Sequence, residues 1–149
     1  MPSWTATEIA DRLGISTAVF QNFQLGERHI AQLREAGIAR IELSSIPRSL
    51  EYHNRAQVAE LKNACRDHGV SVVALHGPFK LPYNNPDEQI RKSVVEESLS
   101  AIRFAVEMGA SIYVAHFGHK DHGKKTIIDL LNATKDLNIK LTTENQTGQ

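Results

Sequence analysis

Only one cysteine, Cys65, occurs in the 149 residues. A lone thiol excludes an intrachain disulfide framework and a cysteine-rich zinc site. Neither sign of charge is in excess: 17 Lys and Arg face 17 Asp and Glu. The chain therefore lacks the general positive field that drives non-specific nucleic-acid binding. Its seven histidines change that balance at low pH, but a local basic face would still be needed. No apolar run approaches the roughly 20 residues that span a bilayer. The opening MPSWTATEIADR carries acids and no apolar leader segment, so a reducing cytoplasm is the expected address. No linker or low-complexity stretch interrupts residues 1–149, which read as a single domain. With 41% hydrophobic and 23% charged residues, the composition is that of an ordinary globular chain. A domain of this length buries roughly 70% of its unfolded surface.

What is present is a rhythm. Short runs rich in β-branched residues alternate with longer amphipathic ones. The short runs are Gly14–Phe20, Gly37–Leu43, Gly69–His76, Gly109–His116 and Asn138–Glu144. Each reads as a strand. Four open on Gly and one on Asn, the residues that cap a preceding helix in the left-handed conformation. Between them, Ile30, Leu33 and Ala36 predict a helix before Gly37. Val58, Leu61, Ala64 and Cys65 predict another before Gly69. Ile90, Val94, Leu99, Ile102, Ala105 and Val106 predict a longer one ending at Met108, with Asp87 as its N-terminal signal. Ile127, Leu130, Leu131 and Ala133 mark a shorter one, and a short helix over residues 7–13 stands in front.

Strands alternating with crossover helices give an α/β fold with a parallel sheet. Two architectures compete. One is a doubly wound sheet. The other is a partial (β/α)8 TIM barrel of about five parallel strands with outer helices, since a whole barrel needs roughly 200–250 residues. The first strand is followed by neither GxGxxG nor GxxxxGK[ST], the usual phosphate signatures of a doubly wound sheet.

In both architectures ligands gather at the carboxyl ends of the strands. Strand two ends in Glu42, strand three in His76, strand four in His116 and strand five in Glu144. With seven histidines in 149 residues, any one position is His about 5% of the time, so two at chosen strand ends form an improbable pattern. Neutral imidazole and carboxylate together suit zinc, manganese and other first-row divalent ions. Neighbouring parallel strands lie about 4.8 Å apart, so His76, His116 and Glu144 are expected to converge on one ion. Each His taken alone has a plainer reading, a strand-end side chain bonded to backbone. Asn145 can orient the Glu144 carboxylate. His119 is an extra ligand, an outer group against a ligand or substrate, or a solvated loop residue. His122 is expected in solvent. Glu42 positions a ligand or substrate hydroxyl, or else pairs with Arg40 or Arg48. His29, His53 and His68 are expected to be solvated. The turn-rich stretch from Gly77 to Pro86 either folds over a pocket or is a bare surface connection.

The runs GIARIEL, VVALHGPF, GASIYVAHFGH and LTTENQTGQ resemble the xylose isomerase-like TIM-barrel superfamily over residues 13–149. That group includes sugar-phosphate isomerases and epimerases and the endonuclease IV type of apurinic endonuclease (AP endonuclease family 2). The resemblance implies a barrel and a divalent metal, Mn2+, Zn2+, Co2+ or Mg2+. In the endonuclease branch, positions matching His76, His116 and Glu144 bind zinc. In the epimerase branch, the strand-five glutamate, here Glu144, binds the metal and is one of two acid-base carboxylates, its partner coming from strand eight.

The expected activity is that of a metal-dependent sugar or sugar-phosphate isomerase or epimerase, moving a proton next to a carbonyl. Two alternatives stay open: a zinc phosphodiesterase acting at abasic DNA, which the neutral charge disfavours, and an inactive fragment or assembly subunit. Strands six to eight and their ligands have no counterpart in these residues. Exposed sheet edges invite pairing with another chain, so a homo-oligomer or a partner chain is expected.

Overall fold

Helices give way to strands where a left-handed glycine lets the chain turn. In the computed structural model, Gly37, Gly69 and Gly109 have φ of 82°, 64° and 87°. A side chain is strained in that region and glycine is not. Gly14 is not among the positive-φ residues and neither is Asn138, so three of the five expected caps take this form. The structure describes residues 3–10, 12–117 and 121–144, and the chain divides into two units, Met1–Val73 and Ala74–Gln149.

The first unit holds α1 (Ala6–Ala10), β1 (Ile15–Ser16), a 3-10 turn over Thr17–Phe20, α2 (Glu27–Glu35), β2 (Arg40–Ser44), α3 (Arg55–Asp67) and the start of β3 (Ser71–His76). Strand β1 is much shorter than the Gly14–Phe20 run predicts. Ser16 caps the 3-10 turn, its hydroxyl accepting from the Ala18 N–H at 3.4 Å, and the extended backbone stops there. Strands β1 and β2 run parallel, Ile15 beside Ile41 and Ser16 beside Glu42. The Ser71 N–H, at the start of β3, donates to the Ala39 carbonyl at 2.8 Å. Ile41 and Leu43 are fully buried, as are Ile30 of α2 and Leu61 of α3, which is the apolar stripe the helical spacing requires. Asn54 caps α3, its side chain accepting from the Ala56 and Gln57 N–H groups. The buried Gln57 amide donates to the Leu25 and Ser49 carbonyls at 2.9 and 2.8 Å and accepts from the Glu51 N–H at 2.9 Å. One side chain thereby satisfies three backbone groups around the loop after β2.

The second unit holds the rest of β3, α4 (Glu88–Glu107), β4 (Ile112–Ala115), α5 (Asp121–Thr134) and β5 (Lys140–Thr143). Asp87 caps α4 as expected, accepting from the Gln89 and Ile90 N–H groups at 2.8 and 3.2 Å. Val94, Ile102 and Ala105 face the core, whereas Ile90 and Val106 at either end are exposed. On α5, Leu130 is buried and Leu131 is half exposed. Helix α5 includes His122, so it starts earlier than the spacing suggests. Arg91 lies 2% exposed, with its Nε 2.8 Å from a Glu88 oxygen and its guanidinium 2.6 Å from Asp129, and so ties α4 to α5. Ala74, Leu75 and His76 run parallel beside Ile112, Tyr113 and Val114. Ile112–Ala115 in turn run beside Lys140–Thr143.

The five strands follow one another in chain order, and each pair whose register is described is parallel. A doubly wound sheet reverses its order at a switch point. The sequential order is that of a barrel wall, so the doubly wound alternative falls away. No helix among the described residues is long and apolar enough to cross a membrane.

Candidate metal centre

Parallel pairing puts residues of equal register on one side of a sheet. Leu75, Tyr113 and Leu141 share a row, and His76, Val114 and Thr142 share the next. Tyr113 is fully buried, and its hydroxyl lies 3.4 Å from that of Tyr83, which Ser98 of α4 also meets at 3.3 Å. That row faces the helices. The alternate row, with His76, faces the other way, and His116 and Glu144 continue it two residues beyond Val114 and Thr142. Period-two alternation therefore brings both imidazoles and the carboxylate to one face at the carboxyl ends of three adjacent strands.

The geometry is close. His76 Nε2 lies 3.4 Å from a Glu144 carboxylate oxygen, and His116 Nε2 lies 3.9 Å from the same oxygen. One donor atom from each of the three residues falls within 4.8 Å of the others. Ligands bonded to one tetrahedral zinc at ~2.1 Å stand ~3.4 Å apart, so this set is such an arrangement slightly opened. His76 and Glu144 already have that spacing.

The other ring nitrogens face backbone carbonyls. His76 Nδ1 is 3.2 Å from the Gly77 carbonyl, and His116 Nδ1 is 3.3 Å from the Glu144 carbonyl. A carbonyl oxygen only accepts, so these contacts favour the tautomer with the proton on Nδ1. In the neutral ring, Nε2 is then a bare lone pair facing a carboxylate oxygen. Two lone pairs and an anionic oxygen pointed at one another repel unless a cation lies among them. A proton on one imidazole serves a single contact, and a divalent ion serves all three. Backbone hydrogen bonds that fix the Nδ1 proton are the usual support of an Nε2 metal ligand. The donor set thus fits a divalent metal by both spacing and tautomer.

His76 is buried, His116 is half-buried and Glu144 is exposed, so the group opens to solvent on the carboxylate side. Phe79 stacks on His76, with ring centroids 4.5 Å apart and planes 8° apart, although its own side chain is 41% exposed. Beyond it, Pro78–Asn84 and His116 line an open-sided cavity of about 520 Å3. The loop from Gly77 to Pro86 therefore walls a pocket and is no bare surface connection. It is held by Tyr83, which is buried, accepts from the Thr126 hydroxyl at 3.0 Å and meets Phe117 edge-on at 5.0 Å. Burial pushes the Tyr83 phenol above its usual range, so it stays protonated.

Of the residues singled out in the sequence, His76, His116 and Glu144 come together. His119 and Asn145 lie outside the described residues. Glu42 belongs to the first unit, half-buried on β2 beside Ser16, and is not part of the described His–His–Glu cluster. His122 and His53 are exposed, as expected. His29 is not: it is 3% exposed, its Nδ1 accepts from the Gly26 N–H at 3.2 Å and its ring lies 4.8 Å from Phe20. It caps α2 in place of an Asp or Ser side chain. Burial first, and Arg28 second, hold its pKa below the ordinary histidine value. His68 is half-buried, 3.6 Å from a Glu27 oxygen. Cys65 is buried, its thiol pushed up to about 11, which excludes it as a nucleophile at neutral pH.

Sequence reasoning missed Gly77. A Cβ there would collide with the Tyr113 ring and hydroxyl, so glycine is what lets the His76 end of β3 lie over Tyr113. The adjacent His-Gly pair at a strand end is the visible signal, but the tyrosine that demands it stands 36 residues further along the chain.

The family described as xylose isomerase-like TIM barrel matches residues 30–149. No curated protein matches the chain significantly in sequence. Among solved structures, a D-tagatose 3-epimerase-like protein superposes with a TM-score of 0.77 at 21% identity, over 91% of this chain and 53% of its own. A xylose isomerase domain protein from Planctomyces limnophilus gives 0.66 at 15%, over 92% and 55%. D-psicose 3-epimerase from Clostridium cellulolyticum H10, solved with D-tagatose, gives 0.65 at 12%, over 86% and 50%. At these identities the likeness is one of fold, and the chain spans about half the length of the structures it matches.

Proposed function

The chain belongs to the xylose isomerase-like TIM-barrel family, and from that premise we propose that residues 1–149 supply the amino-terminal half of a metal-dependent sugar isomerase or epimerase site. The observation that carries this reading is the convergence of His76, His116 and Glu144 within 4.8 Å. Solved structures similar in fold include D-psicose 3-epimerase and L-ribulose 3-epimerase and a sugar phosphate isomerase/epimerase, which supports a small sugar or sugar phosphate as the substrate.

His76 and His116 would hold the ion through Nε2 and Glu144 through a carboxylate oxygen. Bound there, a divalent cation would supply positive charge against the negative charge that grows on a carbonyl oxygen when the neighbouring carbon loses its proton. Glu144 would accept that proton on its carboxylate and deliver it to the adjacent carbon in an isomerisation, whereas an epimerisation takes a second acid on the opposite face. Its open side faces solvent, where substrate arrives. The Gly77 and Glu144 carbonyls keep the Nδ1 protons in place, so neither imidazole needs to change tautomer. Phe79 covers His76 and keeps water off that ring. Another chain or a second copy beside β5, which pairs with β4 alone among the described residues, belongs to the same proposal, and light scattering reads its presence. The zinc phosphodiesterase reading uses the same donors, but the net charge of zero gives it no support, and an abasic oligonucleotide tests it.

Calorimetric titration of the purified chain with Mn2+, Co2+ and Zn2+ is the direct experiment. One ion per chain is expected, with affinity reduced at least about tenfold in Glu144→Ala and in His76→Ala. No binding by the wild type, or equal binding by both variants, removes the proposal.

A further inference from the structure

The two imidazoles of the cluster are braced in different ways. His116 Nδ1 meets the carbonyl of Glu144, 28 residues further along the chain, at 3.3 Å. His76 Nδ1 meets the carbonyl of Gly77, its own neighbour, at 3.2 Å. A contact with the adjacent residue holds the proton but braces the ring against nothing outside its own turn. What lies against the His76 ring from further away is Phe79, parallel to it within 8° at 4.5 Å between centroids. The same ring is 6.3 Å from His116 and tilted by 37°, so it stacks on one imidazole of the two. Burial does not explain its place: Phe79 is 41% exposed, whereas His76 beneath it is 8% exposed. The loop holds it there against strain. Lys80, next in the chain, is left-handed at φ 68°, a conformation that suits glycine and disfavours a side chain, and strain of this kind gathers at functional sites. Further along, the Tyr83 carbonyl accepts from the Thr126 hydroxyl at 3.0 Å, and a Cβ at Gly123 would strike the Asn84 side chain. The far end of the loop is thereby seated on α5.

We infer that Phe79 is a positioning residue for the metal: its flat face sets the plane of the His76 imidazole and so aims Nε2 at the ion. The inference rests on the proposed metal centre and adds to it a residue that donates no atom. The lone pair of a ring nitrogen lies in the plane of the ring. Rotation about the Cβ–Cγ bond of His76 would swing that lone pair away from the Glu144 oxygen, now 3.4 Å from Nε2. An aromatic ring stacked parallel lies outside the imidazole plane, so it opposes the rotation without taking the place of the ion. Stacking at this separation is favourable by itself. Groups that orient an imidazole ligand are worth about 10–100-fold in metal affinity.

Competitive titration with Zn2+ against a chelating indicator tests this in the wild type, Phe79→Leu and Phe79→Tyr, and in Phe79→Leu combined with His76→Ala or with His116→Ala, each beside its single-histidine parent. Phe79→Leu keeps an apolar side chain and loses the flat face. It should bind Zn2+ about tenfold more weakly, with little change of Tm in chelator because the ring is partly exposed. Phe79→Tyr keeps the face and should bind as the wild type does. A loop that is merely loosened weakens binding in every background, but a ring that acts through His76 has nothing to act on once that imidazole is gone. Phe79→Leu should therefore add no loss to His76→Ala and its full loss to His116→Ala. Wild-type affinity in Phe79→Leu, or the same added loss in both histidine backgrounds, overturns the inference and leaves the metal reading standing. No Zn2+ binding by the wild type overturns the metal reading and this inference with it.

Discussion

Substitution of Gly77 by alanine tests fold and site together. Gly77 is not among the positive-φ glycines, so alanine meets no backbone penalty and the effect isolates a collision. The new methyl group would strike the Tyr113 ring. Tyr113 is fully buried, and its hydroxyl is 3.4 Å from that of Tyr83, so it has little room to withdraw. The Gly77 N–H is held at 2.8 Å by the Val114 carbonyl, which keeps the backbone from backing away. Overpacking of this kind costs about 1–3 kcal/mol. For a domain of this size that lowers Tm by roughly 3–10 °C. The Gly77 carbonyl also receives the His76 Nδ1 proton at 3.2 Å. Displacing it should weaken metal binding about 10–100-fold, the usual effect of disturbing a group that orients a ligand. Thermal and urea unfolding read the first quantity, and competitive metal titration reads the second. In a Tyr113→Leu background the methyl group has space, and Gly77→Ala should then cost less than about 0.5 kcal/mol. An equal penalty with and without the Tyr113 ring would refute the steric reasoning. A destabilised variant with unchanged metal affinity would refute the link from Gly77 to His76.

Two further outcomes are expected. Gln57→Leu leaves the Glu51 N–H without its acceptor and takes the amide donor from the Leu25 and Ser49 carbonyls, so urea unfolding should show a loss of about 2–4 kcal/mol; a change below about 1 kcal/mol would mean that water replaces the amide. His29 has its pKa lowered in the folded state by burial and by Arg28, so its contribution to stability is present above the unfolded value near 6.5 and lost as pH falls below it. Unfolding free energies at pH 7.5 and 5.5 should therefore differ more for the wild type than for His29→Gln, and identical differences would exclude His29 as the source.

The strand–helix rhythm was legible because both periods are local. Two-residue alternation, 3.6-residue alternation and a glycine at three of the helix ends need only neighbouring residues. The Asp87 cap and the buried faces of α3 and α4 follow from the same local chemistry. Strand β1 is shorter than its composition predicts because, although Ile15, Thr17 and Val19 are β-branched, the Ser16 hydroxyl accepts from the Ala18 N–H and turns the chain. His29 was misjudged because its environment, Phe20 and the Gly26 N–H, comes from a loop whose path the sequence does not state. Exposure of Ile90, Val106 and Leu131 depends in the same way on which neighbours arrive.

The amino-acid order by itself determined a parallel α/β chain with two histidines and Glu144 at the ends of its last three strands, since period and position are properties of the polymer; Glu42, expected at the end of the second strand, lies inside β2 (Arg40–Ser44). Tertiary structure decided which of those ends meet. The register of β3, β4 and β5 brings His76, His116 and Glu144 onto one face. The collision that makes residue 77 a glycine, and the turn at Lys80 beside the cavity, arise between residues distant in sequence or from backbone angles that only packing fixes. Contacts of that kind are set by three-dimensional distance, and distance along the chain does not encode it.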